Sequence, residues 1–525
     1  MFPLIFKKYQ NRIYSKDDLL SGLTVALALV PEAVAFAIIA GVPPLVGLYA
    51  AFMISIITAI VGGRPGMISG ATGALAVIMV ALVLQGNQKG IELGLGDGAG
   101  VQYLFASVIL MGAIQIICGS LKLGRFVRLI PQPVMFGFVN GLAIVIFQAQ
   151  FPMFTEDPIA TGGSPLLKGP SMYWMIGLVV LTMAIIHFLP KVTTAVPSSL
   201  VAIIVTTLIV VFAGIETLRV REMAAIEGGL PKLVSFSIPL NWDTLYFIAP
   251  YSFILAAVGL IESLMTLVLI DELTDTRGNS NRECWGQGIA NIVTGFFGGM
   301  GGCAMIGQSM INIRSGGRKR LSGIAAGIFL LCFILFASPL IEQIPLAALT
   351  GVMFMVVIGT FEWSSFRILS KIPKVDAFVL ILVSVVTVVT HNLALAVFTG
   401  IIISALAFAY QSSKHIFRRA EINKQGVKVY TLEGPLFFGS SMDFVQRFDP
   451  QEDPQEIIID FRESRVWDHS GIEAIEKVAK KYRESGKKIQ LQHLSAECRQ
   501  RIQQADDLID IPVLPDDPTY RVAKL

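Results

Sequence analysis

Two carboxyl groups stand in surroundings that otherwise read as lipid. Glu32 follows Pro31 in the run TVALALVPEAVAFAIIAG, and Glu262 lies in ILAAVGLIESLMTLVLI, each with a full helical turn or more of apolar residues on both sides. An ionised carboxylate at the centre of a bilayer costs about 2.5–3.5 kcal/mol on insertion scales. A carboxyl held there is therefore protonated or paired with a cation, and both states suit a path for protons or small cations. The alternative is a protonated carboxyl that only ties two helices together. Glycine supplies a second chemistry. Gly-Gly-Arg-Pro-Gly at 62–66 and Gly-Gly-Met-Gly-Gly at 298–302 open two segments, 66–84 and 303–313, that are poor helices by composition. Gly70, Gly73, Gly301 and Gly302 let backbone come close to a ligand. Backbone N–H groups at a helix start attract anions without a buried cationic side chain. Taken singly, such glycines signal tight helix packing; their occurrence twice, in matching places, points to a site.

Other chemistries are poorly served. Cys118, Cys284, Cys303, Cys332 and Cys498 form neither a CxxC nor a Cys/His spacing, so no zinc site or disulfide framework is expected. No His/Asp/Ser constellation falls in the apolar runs; His187 lies at the end of one and His391 in a turn. Neither an enzyme nor a resident cofactor is expected. The formal net charge of +3, carried in short basic clusters, does not suggest a nucleic-acid partner.

The elements that must position the two carboxyls are membrane spans. The chain of 525 residues is 54% hydrophobic and 15% charged, with mean hydropathy +0.67, against about 25% charged in soluble domains. At about 20 apolar residues per span, spans fall near 19–40, 45–62, 66–84, 101–120, 129–149, 171–189, 195–213, 247–270, 285–299, 303–313, 321–341, 344–361, 376–391 and 393–411. Glu32 belongs to the first span and Glu262 to the eighth; the Gly-rich segments are the third and the tenth. Both pairs are seven spans apart. An odd repeat unit turns the two halves upside down relative to each other, the arrangement of inverted-repeat transporters whose interrupted helices meet near the midplane.

Arg64, then Lys122, Arg125 and Arg128, then Arg314, Arg318, Lys319 and Arg320, then Lys371 and Lys374 occupy alternate short loops. The positive-inside rule assigns that side to the cytoplasm, and an even number of spans places both termini there. The N-terminal stretch has no continuous apolar region followed by a small-residue cleavage site, so a removable signal peptide is not expected. The transmembrane domain is placed at 1–412 and a linker at 413–424, where Lys414, His415, Arg418 and Arg419 form a basic strip able to touch anionic headgroups or simply to end the last span. From 425 to 525 the pattern is that of a soluble α/β domain. Val427–Thr431, Glu456–Phe461 and Lys488–His493 read as strands and Ile472–Arg483 as an amphipathic helix.

Several stretches together resemble one family. LVPEAVAFAIIAGVPPLVGLYAAF, ISGATGALAV, GGMGGCAMIGQSMINIRSGGRKRLSG and the C-terminal domain are similar to the SulP anion transporters, whose animal members include prestin and pendrin. The resemblance implies a polytopic helical protein with the seven-plus-seven inverted-repeat fold of uracil permeases, divided into core and gate subdomains, and a homodimer. It implies an anion site between the third and tenth helices, on Thr72, Gly73 and Ala74 and on Ala304, Met305, Ile306, Gly307 and Gln308. In bicarbonate-carrying members an eighth-helix acid and a Thr four residues later bind sodium, places taken here by Glu262 and Thr266, which share one helix face. Two departures stand out. Many members carry Arg where this chain has Gln308, and commonly Gln where it has Glu32. A carboxyl beside an anion site repels unless protonated, which favours proton-coupled symport, with sodium at Glu262 left open. The C-terminal domain resembles the STAS module, in which a phosphorylatable Ser opens a helix. Ser470 takes that place here and is expected to cap the helix, with Glu473 completing a capping box.

The expected function is secondary active transport of a small inorganic or carboxylate anion (sulfate, bicarbonate or a dicarboxylate) across the cell inner membrane, coupled to H⁺ or Na⁺. A passive channel or an exchanger uses the same helix ends but leaves Glu32 and Glu262 idle. A nucleobase permease shares the fold but not the STAS domain, and a membrane-tethered regulator would carry no flux. A dipole-based site reads charge and size only, so the anion itself is left open.

Overall fold

The computed structural model describes residues 16–500 except 97, 157–164, 194–196, 224–228, 240, 391–392, 415, 424 and 496. His391 and His415 lie outside the described residues, as do 501–525 of the C-terminal domain. The chain divides into two compact units, Met1–Ile401 and Ile402–Leu525.

Apolar runs bounded by Pro, Gly and Asn become helices in the first unit and at the start of the second. These are α1 (Lys16–Ile39), α2 (Pro44–Val61), α3 (Gly73–Glu92), α4 (Ala99–Ser120), α5 (Gln132–Gln148), α6 (Pro170–Val192), α7 (Ser198–Phe212), α8 (Trp242–Thr274), α9 (Ser280–Phe296), α10 (Ile306–Arg314), α11 (Arg320–Phe336), α12 (Leu346–Thr360), α13 (Lys374–Thr390) and α14 (Leu393–Ser413). Starts follow ordinary capping chemistry. Pro44 and Pro170 sit in first turns, where no N–H is needed, and the side chains of Asn241 and Asn279 cap α8 and α9. Nine helices among the described residues are long and apolar enough to cross a membrane. The others include α9 and α10, which are more polar, and α10 is only nine residues long.

Two bundles result. α1–α4 lie against α8–α11, whereas α5 and α6 pack on α12 and α13, with α7 beside α6 and α12. Small residues bring the backbones close. A Cβ on Gly112 of α4 would stand 2.5 Å from the Gly288 carbonyl of α9, and one on Gly327 of α11 would stand 2.4 Å from the Ile56 side chain of α2. Without a hydrophobic force between helices in lipid, this close approach is what holds them together. The two short strands β1 (Ser69–Ala71) and β2 (Gly302–Ala304) lie inside the first bundle and immediately precede α3 and α10. This is the core-and-gate, seven-plus-seven arrangement expected.

The second unit is a four-stranded sheet ordered β3 (Phe417–Ile422), β4 (Lys428–Leu436), β5 (Glu456–Val466) and β6 (Lys488–Gln492). β3 and β4 run antiparallel, and β4, β5 and β6 parallel. α15 (Ser441–Gln446) and α16 (His469–Glu484) lie in the same unit. Leu432, Phe444, Ile457, Ile459, Ile475 and Val478 are among its buried core side chains. The stretch read as a linker at 413–424 carries β3, whose charged residues belong to an edge strand. The capping expected of Ser470 is corrected. Asp468 is the N-cap of α16, its carboxylate accepting from Gly471 N at 3.0 Å and from Phe438 N at 2.9 Å, and Ser470 stands inside the first turn. The carboxylate offers one oxygen to each N–H.

The same unit buries one acid among donors. Asp453, 4% exposed, accepts from Tyr430 at 2.8 Å, from Tyr482 and from Lys428. Partial burial works against the Lys428 ammonium, but its hydrogen bonds to Asp453 and Tyr430 outweigh that and push its pKa up to about 12. Burial and the Asp453 carboxylate push both tyrosines up as well.

Candidate functional site

The two Gly-rich segments meet. β1 and β2 pair antiparallel, with Ser69 opposite Ala304, Gly70 opposite Cys303 and Ala71 opposite Gly302. Pairing ends there because each chain turns into a helix: Thr72 is the N-cap of α3 and Met305 that of α10, both in extended backbone. The helices leave the ribbon in opposite directions, so their N-terminal ends are separated only by its three residue pairs. The first N–H groups of a helix lack intrahelical acceptors. Those of Gly73 and Ala74 on one side, and of Ile306, Gly307 and Gln308 on the other, carry the positive ends of both dipoles to this place.

The neighbouring glycines do opposite things. A Cβ on Gly302 would lie 2.1 Å from the Gly70 carbonyl oxygen, so the ribbon closes only with glycine there. Gly307 is exposed and has nothing within 4 Å of a built Cβ, leaving open space in front of the α10 end.

Polar side chains buried around the ribbon hold it. Asn291 of α9 accepts from Gly302 N at 2.9 Å and donates to Gly302 O at 3.0 Å and to Gln115 at 3.0 Å. Ala304 N donates to Ser263 of α8 at 3.0 Å, and Ile68 N to Ser309 of α10 at 3.0 Å. Gln287 bridges Ser69 at 2.9 Å and Glu283 at 2.8 Å. Every one of these side chains is fully buried or nearly so, and unmade bonds there would cost about 1–3 kcal/mol each.

Both intramembrane carboxyls reach the β2–α10 segment. Glu32 of α1 accepts from Gln308 Nε2 at 2.9 Å, and Gln308, 1% exposed, keeps a buried Oε1 without a partner. On the other side, Glu262 of α8 accepts from Cys303 Sγ at 3.0 Å, and that sulfur is 3.2 Å from Thr72 Oγ1. Thr266, one turn along, donates to the Glu262 carbonyl at 2.8 Å and is 3.5 Å from Ala304 O. Among the described residues no group of three or more His, Cys, Asp and Glu could hold a metal ion. An ion at Glu262 would have to use that carboxylate with hydroxyl and carbonyl oxygens, the ligands hard cations take. Ser470 lies in the second unit.

Residues 16–383 match the family described as "Sulfate permease family", and residues 421–515 match the STAS domain. The chain belongs to the sulfate permease family. This family member is 47% identical over 93% of its length to the putative sulfate transporter YbaR of Bacillus subtilis, 96% of which is covered. It is 31% identical to the bicarbonate transporter BicA of Picosynechococcus, over 86% of this chain and 84% of that one. The structure of the murine anion transporter Slc26a9 in its inward-facing state superposes with a TM-score of 0.76, at 18% identity, over 94% of this chain and 87% of that one, a likeness of fold. As a member of the sulfate permease family the protein is a multi-pass membrane transporter of anions and not an enzyme.

The structure brings together Thr72, the two helix starts and both carboxyls singled out from the sequence, and adds Cys303, Ser263, Asn291 and Ser309, which the sequence did not single out. One signal was available. Gln287, Asn291 and Thr294 recur along one face of α9 within an otherwise small and apolar stretch, the mark of a helix facing buried polar groups. Cys303, a small residue among apolar neighbours, offered none.

Proposed function

We propose that the protein is a cation-coupled symporter of a small anion, sulfate, bicarbonate or a dicarboxylate, working by alternating access. The anion binds in the open space at Gly307, held by the N–H groups of Gly73, Ala74, Ile306, Gly307 and Gln308, with the Thr72 hydroxyl and the Ala304–Met305 backbone shaping the site. The carrying observation is the Glu32–Gln308 hydrogen bond. Gln308 replaces a fixed positive charge by an amide, and Glu32 places a removable negative charge on that amide. With Glu32 ionised, the amide N–H₂ is engaged and a second negative charge stands near the anion. With Glu32 protonated, its O–H can donate to the amide Oε1 that now lacks a partner, the amide turns, and N–H₂ is released toward the anion. Proton and anion thereby favour each other, which is what symport requires. Glu262 with Thr266 forms a second cation place, for H⁺ or Na⁺. Release follows when the α1–α4/α8–α11 bundle moves against the gate and exposes the ribbon to the other side.

The basic loops support cytoplasmic termini, a cytoplasmic STAS domain and a place in the cell inner membrane; the family resemblance supports a homodimer. Proteoliposomes given labelled sulfate, bicarbonate and fumarate, with proton and sodium gradients imposed separately, test the reading. Accumulation of one anion against its own gradient, driven by one cation, is expected. Flux that follows only the anion gradient and membrane potential makes the protein a channel, and flux requiring a counter-anion makes it an exchanger.

A further inference from the structure

Cys303 takes no part in the proposed binding of anion or cation, yet its sulfur stands between the groups that do. On one side is Thr72 Oγ1 at 3.2 Å, on the other Glu262 Oε2 at 3.0 Å, and all three side chains are 9% exposed or less. In the cation-free, ionised state of Glu262 the thiol donates to the carboxylate, which can only accept. Sulfur must then accept from Thr72, whose single hydroxyl proton points away from the anion. The groups facing Glu262 leave few other partners. Ser263 is used by Ala304 N, Thr266 donates to a backbone carbonyl, and Gln115 of α4 lies beside Gly259 a turn earlier. No charged side chain among the described residues is bonded to Glu262.

We infer that Cys303 is a positioning residue that transmits cation occupancy at Glu262 to the anion site by reversing this chain of hydrogen bonds. A cation taking the carboxylate oxygen, H⁺ or Na⁺, displaces the thiol proton from it. The S–H then turns to Thr72 Oγ1, and the Thr72 O–H, no longer held by sulfur, swings to the anion as a donor. No proton is transferred along the chain; the S–H and O–H rotate in place, and the only charge that enters is that of the cation. The effect matches the Glu32–Gln308 pair on the opposite side of the ribbon, where a cation likewise releases a donor. This deepens the symport reading and rests on it.

The test is equilibrium binding of sulfate, bicarbonate and fumarate to the purified full-length protein, with sodium varied at fixed pH and pH varied at fixed sodium, so that the two cations are told apart. In a Glu32→Gln background, which removes the separate proton dependence of the Glu32–Gln308 pair, a saturating coupling cation is expected to tighten anion binding about tenfold, within the usual range of coupling between sites. Cys303→Ala is expected to reduce that factor to about twofold or less, and Cys303→Ser, whose hydroxyl both donates and accepts, to restore most of it. Thr72→Val should lose the same factor as Cys303→Ala, and the double variant should lose no more than either alone. A residue that merely fills space would change affinity without changing its dependence on the cation. Full cation dependence in Cys303→Ala, with loss in Glu262→Gln, overturns the relay and leaves the symport reading standing. Absence of cation dependence in the wild type, for all three anions, overturns both.

Discussion

Replacing Glu32 by Gln removes a removable charge that touches the first turn of α10. The Glu32 oxygen is 2.9 Å from Gln308 Nε2. An anion accepting the second proton of that same planar nitrogen, about 120° away, stands about 5 Å from the carboxylate. At an effective dielectric constant of about 20, two like charges at that distance repel by about 3.3 kcal/mol, or about 250-fold in affinity. In the wild type, therefore, the anion KM should rise steeply as pH rises and Glu32 ionises. In Glu32→Gln that rise of about 250-fold should be absent. Proteoliposome uptake separates this from a simple affinity change. A gradient of about one pH unit can drive about tenfold accumulation if one proton accompanies each anion, and the variant should fill only to equilibrium while still passing anion down its gradient. Proton-driven accumulation undiminished in Glu32→Gln would refute the reasoning.

Further outcomes follow from the same geometry. Gly307→Ala meets no protein atom within 4 Å, so thermal unfolding should be unchanged while anion KM rises about tenfold, because the methyl group stands where the ligand does. Gly302→Ala brings Cβ to 2.1 Å of the Gly70 carbonyl; the strand pair should open, with transport lost and a large drop in melting temperature by fluorescence scanning in detergent. Asn291→Leu leaves the backbone N–H and C=O of Gly302 without their side-chain partner, and unfolding stability should fall by about 2–6 kcal/mol, about 1–3 for each group. In the STAS unit Lys428 is charged up to about 12, above its ordinary value of 10.5, and Tyr430 and Tyr482 also keep their protons longer folded than unfolded. Their contribution is complete below about pH 10 and is lost as pH rises through the folded values. Circular dichroism should show that unit unfolding in alkali, earlier in Lys428→Met than in the wild type.

What could be read without coordinates was whatever lipid or backbone chemistry forces locally. An apolar run of about 20 residues has no stable form in a membrane but a helix, so the spans and their sevenfold spacing were legible. Isolated carboxyls at Glu32 and Glu262 were legible for the same reason, since they break the one rule the solvent imposes. Gly-Gly-Met-Gly-Gly marked a helix break because glycine in a helix interior costs about 1 kcal/mol relative to alanine. Soluble elements were less clear at their ends: β3 lies where charge suggested a linker, and Asp468 caps α16 in place of Ser470, because caps depend on which side chain can reach two N–H groups at once.

Contacts between distant residues were decided only by tertiary structure. Glu32 and Gln308 are 276 positions apart, and Thr72 and Cys303 are 231 apart; nothing in either neighbourhood names its partner. Composition determined that both carboxyls must find partners. Packing of α1 and α8 against opposite sides of one glycine ribbon decided which: an amide on one side, a thiol and a hydroxyl on the other. The physical reason is range. Solvation and helix propensity act on each residue where it stands, whereas hydrogen bonds require two groups within about 3 Å, a distance that only the folded bundle sets.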